Sequence, residues 1–397
     1  LKASTIKWID RKVGIWICRL LSIWSSIFNA GNKEFRSEKV LFIKLIEQGA
    51  SVLAYSSLKS AVAKYGKQNV YFLVFEENRF ILDFLDVLEP SNIIQIRNDS
   101  LISFTIDLFK ALVKCRKEGI DSAIDMEFFS RASAIISYLS GAKKRVGLYS
   151  FTSEHPYRGN LITHKIHYNP YIHVSKYYHL QLLALEEKFS KEPLLKSYDK
   201  DIHIDYPRKQ VSAPLLNSIK EKLKWNEDHQ YIVLNPNASD MLPLRKWETE
   251  KFKSLASQII ANHINAKIVF TGLEAERDRI DEITNDLDPE RLINLAGKTS
   301  LVELMALYHV SDLVITNDSG PAHFASMFDT KVVVLFGPET PELFAPIGEN
   351  IHVIYKSLAC SPCVNVFNHR FSPCTNNVCM QKITVEEVYE KAQKLIA

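Results

Sequence analysis

The chain has 397 residues, 46% of them hydrophobic and 24% charged, a globular composition that excludes a disordered, collagen-like or disulfide-stapled chain. At roughly 100 to 200 residues per domain, this length predicts two domains or three. The formal net charge of +3 is too small for a nucleic-acid footprint, so nucleic acid is not expected as a partner.

That charge is concentrated at one end. Residues 1 to 28 carry five cations (Lys2, Lys7, Arg11, Lys12, Arg19) against one acid, Asp10, a local +4 that leaves −1 for the rest of the chain. Ile6, Ile9, Val13, Trp16, Leu20, Ile23 and Ile27 recur there at steps of three and four, with Ile17, Leu21, Trp24 and Phe28 widening the stripe. This is the pattern of one apolar helical face, with Lys7, Arg11, Cys18, Ser22 and Ser25 opposite. Arg19 interrupts the run, so a spanning helix is not expected. Indole rings on one face with flanking cations suit a helix lying in a membrane interface; the alternative is a helix that packs this face on its own domain. No small-residue cleavage site follows, which argues against a secretory signal. Residues 1–37 are therefore read as an N-terminal amphipathic segment.

From Lys39 onward β-rich apolar runs alternate with helical patterns. Strands are predicted at Val40–Leu45, Val70–Phe75, Ile93–Ile96 and Ala123–Met126, with helices at Ser51–Tyr65, Phe80–Leu88, Leu101–Lys117 and Phe129–Leu139 between them. Such alternation implies a parallel sheet wrapped on both faces. Residues 150–208 break the rhythm. His155, His164, His167, His173 and His179 are read as a polar, substrate-facing loop, followed by a helix around Tyr177–Glu187 and a linker near Pro193–Pro207. The first domain then covers 38–205.

Alternation restarts with strands at Tyr231–Leu234, Lys267–Thr271, Leu292–Leu295, Leu313–Thr316 and Val332–Phe336. Helices are predicted at Thr249–His263, Glu274–Leu287, Leu301–Tyr308 and Pro321–Phe328, giving a second parallel α/β domain over 206–382 and a closing helix in 383–397. Ligands of open parallel sheets bind at the carboxyl ends of strands. Two such domains facing across a cleft would suit a two-substrate transfer.

The segments that follow these strands carry the chemistry. Thr316-Asn-Asp-Ser-Gly-Pro-Ala-His323 runs from a buried strand into a helix, whose first N–H groups at Ser319 and Gly320 favour an anion such as a diphosphate. Asp318 or Ser319 could instead serve only as the helix cap, but a cap does not need His323. Asn235-Pro-Asn-Ala-Ser239, Arg245-Lys-Trp247, Thr271-Gly-Leu-Glu274 and Phe336-Gly-Pro-Glu-Thr-Pro-Glu342 follow neighbouring strands. Small residues there let backbone approach phosphate, Arg245 or Lys246 can neutralise it, and Glu274 can accept from ribose hydroxyls.

These motifs, together with Leu295-Ala-Gly-Lys-Thr-Ser-Leu301, resemble the C-terminal domain of glycosyltransferase family 9, the lipopolysaccharide heptosyltransferase-like enzymes. The resemblance covers roughly residues 38 to 395, weakest at 150–208, and rests most on Asp318-Ser-Gly-x-x-His323 paired with Phe336-Gly-Pro338. It implies an α/β GT-B fold, two Rossmann-like domains with the nucleotide-sugar donor on the second. It also implies inverting sugar transfer to a lipid-linked cell-envelope acceptor at the inner face of the cytoplasmic membrane. Carried over by position, Arg245 would meet the donor phosphates, Glu274 the ribose and Thr299 the base region, with Asn237, Ser239 and Lys246 as further donor-binding candidates on the same strand-end motifs. Asp318, Ser319, Gly320 and His323 would meet the diphosphate and sugar. A site of this kind can work without a metal ion.

One departure matters. The family pattern has Leu-Gly-Asp after the first strand, its Asp proposed as the base, whereas Lys44-Leu-Ile-Glu-Gln-Gly-Ala50 puts alanine at that place. Glu47, on the same loop, is the expected substitute for a base that must reach the acceptor oxygen; a solvated loop acid is the alternative. A nucleotide-sugar epimerase and a non-catalytic sugar-nucleotide-binding protein, the latter motivated by Ala50, are the competing functions.

Six cysteines complete the picture. Without an export signal a reducing compartment is expected. Cys360-x2-Cys363-x10-Cys374-x4-Cys379 has a spacing able to enclose a structural zinc ion, with thiols in a crossing loop as the alternative.

Overall fold

The computed structural model describes residues 3–28, 35–149, 157–188, 202–238, 242–366 and 371–396. It divides into two compact units, Leu1–Asp205 and Tyr206–Ala397.

The first unit holds a six-stranded sheet of β1 (Val40–Ile43), β2 (Val70–Phe75), β3 (Ile93–Ile96), β4 (Ser122–Asp125), β5 (Lys144–Tyr149) and β6 (His164–His167). Their order is β3-β2-β1-β4-β5-β6, every pairing parallel. A parallel sheet is covered on both faces, which is why β1 and β2 are apolar at every position. Chain direction across the sheet reverses at β1, so a crevice opens outside the carboxyl ends of β1 and β4. The helix Leu101–Lys117 starts at a capping box of Ser100 and Ser103. Its Ala111 and Cys115 share one core with Ile136 of the helix Arg131–Leu139, so both helices lie on the same face of the sheet.

The histidine-rich stretch is more ordered than its sequence suggests. His164 and His167 belong to β6, and His173 caps the helix Val174–Ala184, which begins three residues ahead of its expected start. His164 is buried between Thr163 and the Glu187 carbonyl, and burial pushes its imidazole down to about 4. These residues build structure, which overturns the reading of a substrate-facing loop for them; His155 and most of the linker lie outside the described residues.

The N-terminal segment is two helices, Ala3–Lys12 and Gly14–Phe28. The second packs on the domain by its small face. Gly14 has room for no Cβ without pressing on Arg131 at 3.0 Å. Cys18 is buried with Ala134, Leu161 and Ile162, and Ser22 Oγ accepts from the Asn160 backbone N–H at 3.2 Å. The large face points away: Trp16 is 61% exposed, Leu20 68% and Trp24 58%. Trp16, Leu20, Ile23, Trp24 and Ile27 of the apolar stripe therefore do not pack on the domain, whereas Leu21 at its margin does. Among the described residues no helix is long and apolar enough to cross a membrane.

The second unit repeats the architecture with β7 (Gln230–Asn235), β8 (Ala266–Phe270), β9 (Leu292–Asn294), β10 (Leu313–Asn317), β11 (Lys331–Phe336) and β12 (Ile351–Tyr355). Their order is β12-β11-β10-β7-β8-β9, again all parallel. The closing helix Val385–Ile396 buries Val388, Ala392 and Ile396 in this unit's core, beside Ile259 of the helix Thr249–Asn262. Trp247 Nε1 donates to the Ile383 carbonyl at 2.9 Å, so the last segment is integral to the unit.

Candidate active site

In the first unit β1 runs straight into Lys44, whose side chain is only 1% exposed. A lysine so buried needs partners. It has two, Glu47 Oε2 at 3.1 Å and Glu127 Oε2 at 2.9 Å. Glu127 stands two residues beyond β4, and its other oxygen accepts from the backbone N–H groups of Leu45 at 2.8 Å and Ile46 at 3.4 Å. Glu47 precedes the helix Gln48–Leu53 in a left-handed conformation, φ 72° and ψ 87°, which L-residues with long side chains seldom adopt and which costs on the order of 1–3 kcal/mol. The Lys44 contact and the Glu127 amide bonds hold that turn in shape.

Beneath this cluster Asp125 is wholly buried at the end of β4. Its Oδ1 accepts from the Glu127 N–H at 3.1 Å, and its Oδ2 lies 3.7 Å from Arg158 Nη1. Burial pushes the Asp125 carboxyl up to about 7, against the pull of Arg158 and the Ser133 hydroxyl. Burial pushes the Arg158 guanidinium down.

In the second unit the expected donor residues assemble at the carboxyl ends of β7, β8 and β10. Asn235 Nδ2 donates to Thr271 Oγ1 at 3.0 Å, and Asn237 Nδ2 to the Thr271 carbonyl at 3.4 Å. Asn317 ties the loops together, donating to the Pro236 carbonyl at 3.0 Å and accepting from the Trp247 N–H at 3.0 Å. Arg245 lies between two buried acids, its Nε 3.3 Å from Asp318 Oδ2 and its Nη2 paired with Glu339. Burial raises both carboxyls, Glu339 to about 7, while Arg245 opposes the rise.

The helix Gly320–Ala325 starts at Ser319 with no side-chain cap. Ser319 Oγ donates backward to the Asn317 carbonyl at 3.1 Å and Asp318 is held by Arg245, so the cap-only reading of these two residues does not describe them. His323 is buried in this helix. Lys246 is half-buried, Thr299 stands just before the Ser300 cap of the helix Leu301–Val310, and Glu274 is exposed and paired with Arg277 at 2.5 Å. Gly297, at φ 67°, brings the loop after β9 so close to that after β8 that an added Cβ would stand 2.6 Å from Glu274 Cα. Ser239 lies outside the described residues.

Two features differ from expectation. Arg245 is committed to Asp318 and Glu339, so it presents to an anion a guanidinium already shared by two carboxyls. Glu127, Asp125 and Arg158 were not singled out; the signal for them was two acids at the end of a buried parallel strand. The described residues lend the zinc reading no support. Cys379 is buried, Cys360 and Cys374 are exposed, and Cys363 Sγ accepts from Ser372 Oγ at 3.4 Å. The four thiols share a neighbourhood, since the other three add to the burial that raises Cys379. Yet no three metal-ligating side chains among the described residues gather closely enough to hold an ion.

Comparisons with known proteins bear on the family and the fold. The family model described as glycosyltransferase family 9 (heptosyltransferase) matches residues 107–370. The lipooligosaccharide heptosyltransferase 2 of Campylobacter jejuni is 28% identical over 191 residues, 47% of this chain and 58% of that protein. The lipopolysaccharide heptosyltransferase 2 of Salmonella typhimurium is 28% identical over 152 residues, 38% of this chain and 43% of that protein. The chain thus spans about half the length of these curated relatives. Among solved structures, Escherichia coli ADP-heptose LPS heptosyltransferase II superimposes with a TM-score of 0.65 at 20% identity, covering 90% of this chain and 98% of that one. A family 9 glycosyltransferase from Veillonella parvula gives 0.66 at 16% identity, covering 92% and 99%; these likenesses establish the fold. With its family model matched over more than half its length, the chain belongs to glycosyltransferase family 9.

Proposed function

We propose that the protein is an inverting glycosyltransferase that moves a heptose or related sugar from a nucleoside-diphosphate sugar to a lipopolysaccharide-type or other cell-envelope glycan. The relatives' names supply the sugar class. The observation that carries the mechanism is Glu47, held by Lys44 in a strained turn at the carboxyl end of β1, with part of its side chain open to solvent. Strain retained at such a position is a mark of functional use.

In the reaction, Glu47 takes the proton of the acceptor hydroxyl as its oxygen attacks the anomeric carbon. The new glycosidic C–O bond forms as the bond to the β-phosphate oxygen breaks, and the nucleoside diphosphate leaves with the electron pair. General-base assistance of this kind is worth about 10²–10⁴ in rate. The second unit binds the donor. The backbone at Ser319 and Gly320 receives the diphosphate, Lys246 adds positive charge, the loop at Asn237 approaches the phosphates, and Glu274 accepts from the ribose hydroxyls. Asp318 and Glu339 act through Arg245, fixing its guanidinium in place for the charge that develops on the leaving group.

The N-terminal helix seats the enzyme on the inner face of the cytoplasmic membrane, where a lipid-linked acceptor is presented. Its support is the outward Trp16, Leu20, Ile23, Trp24 and Ile27 beside the exposed cations Arg11, Lys12 and Arg19, the composition of an interfacial helix. Incubation of the full chain with nucleoside-diphosphate heptose and a heptose-deficient lipopolysaccharide tests the function. Acceptor-dependent release of nucleoside diphosphate, matched by a heavier glycolipid, is the expected result. Donor binding without turnover would favour a binding protein, and conversion of free donor to an isomer would favour an epimerase.

A further inference from the structure

The helix Leu101–Lys117 has two apolar stripes where a surface helix needs one. Phe104, Leu108, Ala111 and Cys115 face the sheet and its core. Diametrically opposite, Ile102, Ile106 and Phe109 stand in water, Ile102 74% exposed and Phe109 68%. Leu101 extends the patch at 53%. Among the described residues nothing in the packing of this unit accounts for the second stripe. Its charged surroundings are mostly positive. Lys110 and Lys117 are exposed along the same helix, Arg116 reaches the Leu139 carbonyl at 3.0 Å, and Asp107 is neutralised by Arg97 at 2.6 Å.

The topology sets this stripe on the same face of the sheet as the N-terminal helices. The connections β3 to β4 and β4 to β5 run the same way across the sheet, so with right-handed crossovers their helices cover the same face. The helix Gly14–Phe28 packs on the second of them, Arg131–Leu139. One helical layer thus carries two outward apolar surfaces, each with exposed cations.

We infer that the Ile102–Ile106–Phe109 stripe is a second lipid-contacting surface, which docks with the N-terminal helix on a bilayer bearing anionic headgroups. The inference rests on the membrane reading given under Proposed function. Two attachment points fix the orientation of a domain on a surface where one leaves it free to swivel. Apolar area and electrostatic attraction to anionic lipid add in such binding.

Co-sedimentation of the full chain with phosphatidylglycerol–phosphatidylethanolamine vesicles and with phosphatidylcholine vesicles tests this. Wild type is expected to bind the anionic vesicles and to bind the neutral ones more weakly. Ile106→Asp with Phe109→Asp should raise the lipid needed for half-binding by at least about tenfold, with circular dichroism and melting unchanged because both side chains are exposed. Ile102→Ser with Phe109→Ser is a milder pair should the first fail to fold. Binding lost in Leu20→Asp with Ile23→Asp but unchanged in both stripe variants would overturn the inference and leave the membrane reading standing. No binding by wild type would remove both. A stripe variant that turns a dimer into a monomer with unaltered vesicle binding would assign the surface to a second copy of the chain and overturn the inference as well.

Discussion

Lys44 Nζ lies 2.9 Å from Glu127 Oε2, an ion pair closed off from water that joins the carboxyl end of β1 to the chain just beyond β4. The pair spans the point where strand order reverses, and the loop it shapes presents Glu47.

Removing one member of such a pair leaves a charge buried with too few partners. Glu127→Ala should lower the free energy of unfolding by roughly 3–5 kcal/mol, read from denaturant midpoints. It also frees the Leu45 and Ile46 N–H groups from their acceptor. A midpoint equal to wild type would mean that the loop is held by something other than Glu127.

Asp125 makes stability depend on pH in a definite direction. An acid raised in the fold to about 7 holds its proton in the native state over a range where the unfolded chain has released it. Native protein therefore binds more protons between about pH 4 and pH 7, and stability falls as pH rises through that window. Asp125→Asn removes the effect. Melting temperature plotted against pH should decline less steeply for the variant than for wild type across the window; parallel curves would contradict the assignment.

Gly297→Ala is expected to disturb the proposed donor side of the second unit. Its φ of 67° disfavours any side chain, and the new methyl would press on the backbone of Glu274, for a cost of about 1–3 kcal/mol from the conformation alone. A lower melting temperature and a smaller thermal upshift with nucleoside diphosphate should appear together. An unchanged melt and upshift would show that the two loops are not held at this contact.

How far the sequence carried this account varies with the kind of residue. Val70–Phe75 was legible to the residue because a strand buried on both faces is a continuous apolar run, and the edge strand Ile93–Ile96 through its three isoleucines, although Gln95 among them is exposed. Lys144–Tyr149 and Ile351–Tyr355 were not anticipated; the first opens with Lys144 and Arg145 and the second is an edge strand containing His352, so neither shows such a run. The motifs after β7, β8 and β10 could be placed because each is local, a strand end plus a turn. The Lys44–Glu127 pair joins residues 83 apart in sequence, and no local pattern announces it. At the N-terminus the periodicity correctly drew two faces of the helix, but only the structure shows Gly14, Cys18, Ser22 and Ser25 turned inward and the tryptophans outward.

The central claim is that the turn after β1 supplies the base for an inverting transfer through Glu47 rather than through the position occupied by Ala50. Transfer by wild type and Glu47→Gln should be followed side by side, with product anomeric configuration read by NMR and donor binding by calorimetry. The account predicts an inverted linkage in the wild-type product, a rate for the variant lower by about 10²-fold or more, and equal donor affinity for the two. A retained configuration, or a Glu47→Gln enzyme as fast as wild type, would contradict it.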